Sequence, residues 1–357
     1  MTKKTAIQVL KIAVSLSLYV LIFWKVGIGD LWNELKSAKL PYFVAGVLAY
    51  YVIQALSAYR WYMMLKPLEI KTRYSRLLSY YFLGMFFNFL MPTAIGGDVF
   101  RIYYLNKETR RLSASTASVF IDRDIGMAGL VLIAAVVATF RPPPLGAVPL
   151  GPLFWLILAA FMIANLALFY RRTYNLLHRL LAFFKMKRAD ERVEHLFLSF
   201  NSFRGQWGVI TSALLLSIVV QIGCAFVNML AAYSIDMKTN NGWIDYLIFI
   251  PTIGLITMAP VSVNGMGLRE WAYIVLFSQV GASEHEAAAL AFLWLGITVL
   301  TSLPGGIIYI LRGGRQADDL SSEKLLEDQT LESDGKPGVG FAAVPVAPRE
   351  KEPVNTI

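Results

Sequence analysis

The stretch Leu77-Leu-Ser-Tyr-Tyr-Phe-Leu-Gly-Met-Phe-Phe-Asn-Phe-Leu-Met-Pro92-Thr-Ala-Ile-Gly96-Gly97-Asp98-Val-Phe-Arg101 decides the fold. Residues 77–97 carry no charge, and about 20 such residues suffice for a helix to cross a bilayer core. Yet both flanks are basic: Arg60, Lys66, Lys71, Arg73 and Arg76 precede the run, and Arg101, Lys107, Arg110 and Arg111 follow it. Lysine and arginine mark cytoplasmic loops, so both flanks belong on one side. The reading that satisfies both facts is a segment that enters the membrane, turns near Met91-Pro92 and returns. The alternative is an ordinary crossing kinked by proline and glycine, both common in transmembrane helices.

Working outward, the rest of the chain has the same character. Its 357 residues are 56% hydrophobic and 16% charged, against roughly a quarter charged in an average globular chain. Further uncharged runs fall at 40–59, 142–170, 205–235, 246–268 and 287–311. A first helix at about 5–24 contains Lys11, whose stem can snorkel to the interface, and Arg60 reads the same way. The run 112–140 is interrupted by Asp122-Arg123-Asp124. Length alone would suggest soluble domains, but apolar runs of spanning length override that prior. A net charge of +9 does not point to nucleic acid, because the basic residues fall between the apolar runs. Cys224 is the single cysteine, and His178, His195 and His285 lie far apart, so no metal site is expected. No P-loop, GxSxG or HExxH motif supports an ATP-driven pump or a conventional hydrolase, and no cofactor is expected.

Charge orients the loops. The basic segment 171–206 is cytoplasmic, and its mixture of Leu, Phe, Lys and Arg near 180–187 suits an interfacial helix. Segments 141–149 and 236–245 are external, and 25–39 is external by parity. From 236–245 to Arg312 the chain has three apolar pieces, one of them, 271–283, too short to span comfortably. A second hairpin entering from outside and turning near Pro260 resolves this. The expected fold is all-α: a polytopic integral membrane bundle of about six spanning helices and two re-entrant helical hairpins, both termini cytoplasmic. Residues 1–312 form this domain, and the polar, then Pro/Gly-rich 313–357 form a disordered cytoplasmic tail. Tyr50-Tyr51, Tyr80-Tyr81 and Tyr103-Tyr104, with Trp155, Trp207 and Trp243, suit an aromatic belt.

The two turns align. Pro92 is followed by Gly97 at plus five and Arg101 at plus nine; Pro260 is followed by Gly265 and Arg269 at the same offsets. One turn enters from each side, as an inverted repeat requires, and such repeats place substrate near the midplane. Backbone groups freed by a turn inside the membrane are tolerated only against protein or a watery cavity. The returning helix then offers its N-terminus to an anion such as a lipid phosphate, with Gly96, Gly97, Asn264, Gly265 and Gly267 letting the backbone approach. Arg101 and Arg269 can add bidentate contacts. Asp98 and Glu270 either neutralise those arginines or serve in coupling. Asp122 and Arg123 are either a buried functional pair or, if their helix starts near Ile121, an interfacial cap.

The motifs Pro92-x3-Gly96-Gly97-Asp98-x2-Arg101, Asp122-Arg123-x2-Gly126 and Asn264-Gly-x-Gly267-x-Arg269-Glu270 resemble those of the flippase-like transmembrane domain of the lysylphosphatidylglycerol synthase family. The resemblance covers roughly 5–312 and implies a bacterial or archaeal inner-membrane protein with re-entrant elements. In bifunctional members this domain moves aminoacylated phosphatidylglycerol to the outer leaflet. This chain lacks their soluble aminoacyl-transfer domain and resembles the stand-alone members, so a lipid or lipid-linked substrate carries over and the lysyl lipid does not. The leading expectation is a non-enzymatic lipid flippase whose headgroup site comprises Gly96, Gly97, Asp98, Arg101, Asp122, Arg123, Asn264, Gly265, Gly267, Arg269 and Glu270. Its partners are membrane lipids. The alternatives are a membrane-embedded transferase using Asp98 or Asp122 as base, and a non-transporting subunit of an envelope or glycosyltransferase complex.

Overall fold

The computed structural model describes residues 3–91, 96–140, 150–169, 199, 201–258 and 261–311. The Lys11 side chain, Pro92, Pro260, the 180–187 segment and the tail at 313–357 lie outside the described residues. The chain divides into a unit Met1–Tyr309 and a second unit Ile310–Ile357. Among the described residues there are eleven α-helices and no strand. They are α1 (Lys3–Val26), α2 (Ile28–Ser37), α3 (Leu40–Met64), α4 (Tyr74–Leu90), α5 (Gly96–Thr109), α6 (Leu112–Phe140), α7 (Leu150–Phe169), α8 (Trp207–Ser234), α9 (Trp243–Thr257), α10 (Leu268–Phe277) and α11 (Glu284–Leu311).

Helices α3, α6, α8 and α11 are each long and apolar enough to cross a membrane, and the α1–α2 pair, bent by 80°, adds a fifth if counted as one broken span. This is a polytopic helical membrane protein. Several buried hydroxyl side chains donate within their own helices: Ser57 to the Ile53 carbonyl, Thr252 to Ile248 and Thr301 to Ile297. Such back-bonding removes donors that an apolar surround would otherwise leave stranded.

Polar contacts sort the loops onto two ends. Lys39 pairs with Asp236 at 2.6 Å and donates its backbone N–H to the Ser234 carbonyl at 2.7 Å. Lys25 pairs with Glu284, and the Asn240 N–H donates to the Val280 carbonyl. The 25–39 segment, which charge left ambiguous, therefore shares an end with 236–245. The opposite end is tied by Arg111 donating to the Leu68 carbonyl, and by Thr72 and Arg76 donating to Glu108.

These ties decide between hairpin and kink. Helices α4 and α5 begin and finish at one end; α9 and α10 begin and finish at the other. Their inner tips meet where Asn264 Nδ2 donates to the Asn88 carbonyl at 2.9 Å. Glycine is required in the first hairpin because α4 and α5 touch backbone to backbone: a Cβ on Gly97 would lie 2.0 Å from the Gly84 oxygen. Beside this contact the Phe87 and Phe100 rings stack. The main core runs through α3, α8, α9, α10 and α11, with Phe249, Tyr273 and Phe277 buried within it.

The aromatic belt needs correction. Trp155, Trp207 and Trp243 are exposed on the body, as a belt requires. Tyr50, Tyr80 and Tyr104 are buried instead, Tyr50 packing edge-on against Trp294 and Tyr80 stacking on Tyr104. Tyr81 also faces inward, over the Arg101 guanidinium.

Candidate functional site

Three helices, α3, α5 and α6, bring charged side chains to one place beside the tip of the first hairpin. Asp122, near the middle of α6 and only 1% exposed, accepts from two guanidinium groups. Arg60 Nε of α3 reaches Oδ1 at 2.9 Å and Arg101 Nη2 of α5 reaches Oδ2 at 2.7 Å. Arg60 also donates to Ser217 of α8 at 2.9 Å. Asp98, in the first turn of α5, lies 3.4 Å from Arg101 Nη1 and pairs through its other oxygen with Arg123. The Arg101 guanidinium is held over the Trp61 ring at 4.1 Å and the Tyr81 ring at 4.8 Å. Trp61 is itself fixed by donation to Ser118.

A cleft of about 250 Å³ opens onto this cluster, lined by these charged residues with Tyr81, Gly84, Met85 and Asn88. Among the described residues three guanidinium groups and two carboxylates line it. Arg101 Nε is buried and has no hydrogen-bond partner among the described residues. The Arg101 charge is met by Asp122 and Asp98, but its buried Nε–H is a donor left unsatisfied, at a cost of about 1–3 kcal/mol.

The triplet on α6 resolves into three faces. Asp122 is buried in the cluster and Arg123 stands at its rim, with a side chain 46% exposed. Asp124 turns toward α7, where Asn165 donates to it. Helix α6 begins at Leu112, so Asp122 is not an interfacial cap.

Arg60 requires the opposite correction. It is buried in an ion pair rather than snorkelling at an interface, because its position on α3 faces α6 and α8. Gly126 makes the room: a Cβ there would lie 3.0 Å from both Arg60 Nη atoms. Sequence reasoning also missed Ser217, Trp61, Tyr81 and Asn88. Asn88 had a visible signal, since it is a lone amide in the run Phe86-Phe87-Asn88-Phe89.

The second motif is built differently. Asn264, Gly265 and Gly267 turn the chain with positive φ of 50°, 75° and 78°. Gly267 lies against α1, where a Cβ would meet the Leu18 side chain and the Ser15 carbonyl. Glu270 is fully buried and accepts the Gly267 N–H at 2.7 Å, while Arg269 lies 3.4 Å from its other oxygen. Arg269, Glu270, Gly265 and Gly267 do not line the cleft. Both returning helices also carry acceptors of their own, since Asn88 Oδ1 takes the Gly97 N–H at 2.8 Å. One N–H at each returning helix start is thus taken by a protein acceptor. Gly96 is buried at the start of α5.

Among the described residues no group of three His, Cys, Asp or Glu side chains is placed to hold a metal ion.

Comparison with known proteins agrees with this architecture. A UPF0104 membrane protein of Pyrococcus horikoshii is 25% identical over 126 residues, which is 34% of this chain and 38% of that protein. The chain thus aligns with well under two thirds of that relative. Residues 8–305 match the family model described as the lysylphosphatidylglycerol synthase TM region. A match over most of the chain, on a helical membrane bundle, places the protein in the lysylphosphatidylglycerol synthase TM region family.

Proposed function

We propose that the protein moves an anionic phospholipid or lipid-linked headgroup between the leaflets of the cytoplasmic membrane of a bacterium or archaeon. The observation that carries this reading is the cleft itself: Arg60, Arg101 and Arg123 gathered beside Asp98 and Asp122 within an apolar helical body. The headgroup phosphate binds Arg101 and Arg123, with Arg60 held behind them by Asp122, while the acyl chains stay in the bilayer. The end bearing 25–39 and 236–245 is external, the end bearing 65–76 is internal, and both termini are cytoplasmic. The protein acts as a carrier without transforming its lipid, beside an envelope-biosynthesis enzyme that makes or uses that lipid.

The test is leaflet distribution of labelled phosphatidylglycerol, phosphatidylethanolamine and isoprenoid-linked sugars in reconstituted vesicles. Movement of at least one above empty liposomes, abolished in Arg101→Ala protein that still inserts, is expected. No movement across the panel, or wild-type rates in Arg101→Ala, would contradict it.

A further inference from the structure

Helix α2 lies across an end of the bundle rather than along it. Gly27, with a φ of 78°, lets the chain turn by 80° from α1 into α2. Four apolar helices start or stop at this level: α1 stops at Val26, α3 starts at Leu40, α8 stops at Ser234 and α11 starts at Glu284. The Lys25–Glu284 and Lys39–Asp236 ion pairs, with the Lys39 N–H on the Ser234 carbonyl, tie the two ends of α2 to those termini. Where the apolar spans end, the headgroup layer begins. Successive residues turn by about 100°, which divides α2 into three strips. Leu31 and Leu35 pack inward against the main core. Asp30, Asn33, Glu34 and Ser37 form a polar strip. Beside the inward strip and away from the acids, Ile28 and Trp32 stand one turn apart, 66% and 57% exposed. Lys36 continues this third strip, its ammonium 5.2 Å from the centre of the Trp32 ring.

We infer that α2 is an interfacial helix whose third strip docks on the lipid headgroup layer, with Ile28 and Trp32 at the top of the acyl chains and Lys36 at the phosphates. Lipid is the occupant because lipid-facing surface reaches both ends of α2. Leu16, Val20 and Trp24 form an exposed row up α1 to the bend, and Leu40, Val44 and Leu48 start a second row on α3. Both rows step by four residues, as one face of a helix does. Tryptophan suits this depth because its ring is amphipathic, and a lysine stem can lie along apolar surface while its ammonium stays among the phosphates. Charge is divided to match: Asp30 and Glu34 stand on the strip turned away from the lipid, and Lys36 stands beside it. A helix with one apolar and one charged face lies in the interface plane rather than crossing it. This holds whatever the cleft carries.

The experiment places one fluorescent thiol label at a time in full-length Cys224→Ser protein, reconstituted in vesicles of phosphatidylcholine and phosphatidylglycerol. Labels at Ile28→Cys and Trp32→Cys should be quenched by lipids carrying a nitroxide near the glycerol end of the acyl chain, and shielded from iodide present on both sides. Labels at Asn33→Cys and Ser37→Cys should show the reverse order, with the ratio of lipid to iodide quenching roughly fivefold lower. Iodide reaching all four positions alike overturns the docking, because the strip then lies in water. Neither quencher reaching Ile28→Cys or Trp32→Cys overturns it too, because protein then covers the strip. For Lys36, the Ile28→Cys label should be quenched roughly twofold more by brominated phosphatidylglycerol than by brominated phosphatidylcholine, and Lys36→Gln should remove the difference. Equal quenching by the two lipids with Lys36 present, or the same preference in Lys36→Gln, overturns the phosphate contact.

Discussion

The two hairpins share a sequence rhythm and differ in what they do with it. In each, an arginine follows the proline by nine residues and a carboxylate stands close by. In the first, Arg101 points across to α6 and shares Asp122 with Arg60 at the wall of the cleft. In the second, Glu270 turns back on its own helix start and Arg269 leans on Glu270. The lesson is that an internal repeat conserves the means of turning a chain inside the membrane and not the use made of the turn. The first hairpin lines the cleft; the second braces.

That contrast can be broken in several places. The largest effect belongs to Asp122→Ala, which strands Arg60 and Arg101 and should cost about 3–5 kcal/mol, the scale for removing one partner of a buried pair. Thermal unfolding in detergent should show it, with Glu270→Ala milder because Arg269 keeps 16% of its side chain exposed. Equal losses would erase the distinction between the hairpins. Next comes Gly97→Ala. Its Cβ would lie 2.0 Å from the Gly84 carbonyl, so the α4–α5 contact must open, at about 1–3 kcal/mol, the scale for overpacking. A smaller loss, about 1–2 kcal/mol, is expected from Asn264→Ala, which leaves the Asn88 carbonyl unpaired where the tips meet. Unchanged melting in Asn264→Ala would mean the tips do not depend on each other.

The smallest effect concerns pH at the open end of the first hairpin. Burial pushes the Glu108 carboxyl up, but donors from Tyr80, Thr72 and Arg76, with the Arg76 charge, together hold it below its ordinary value. A folded value below the unfolded one means its contribution is present above the unfolded value and fades as pH falls through the folded one. Glu108→Gln should therefore flatten the acid limb of the melting-temperature profile and leave the slope near neutrality unaltered. An altered slope near neutral pH would assign the dependence to another group.

Much of this architecture was legible in the residues. The basic flanks of 77–97 and the short run 271–283 forced two returning segments, because charge and helix length are strong constraints in a bilayer. The site was half legible. Asp98, Arg101, Asp122 and Arg123 stood out as charges in or beside apolar runs, and the structure gathers them. Arg60 did not, because a lone arginine near a helix end looks the same whether it reaches water or an aspartate on another helix. Only the packing of α3 against α6 distinguishes these, and the one local trace of it is Gly126. Arg269 was legible as a match to Arg101 and misleading for that reason: its orientation depends on Glu270, which stands three residues after Gly267, the spacing at which a glutamate reaches back to the N-cap N–H.

The central claim, that two hairpins enter from opposite faces and touch at their tips, is tested most directly by single and paired cysteines in a Cys224→Ser background. The account predicts that a cysteine at Lys71 labels only from the cytoplasmic side and one at Asn241 only from outside, while the pair at Asn88 and Asn264 joins through a short bifunctional thiol reagent. Labelling of Lys71 and Asn241 positions from the same side, or failure of the tip pair to join in folded protein, would contradict it.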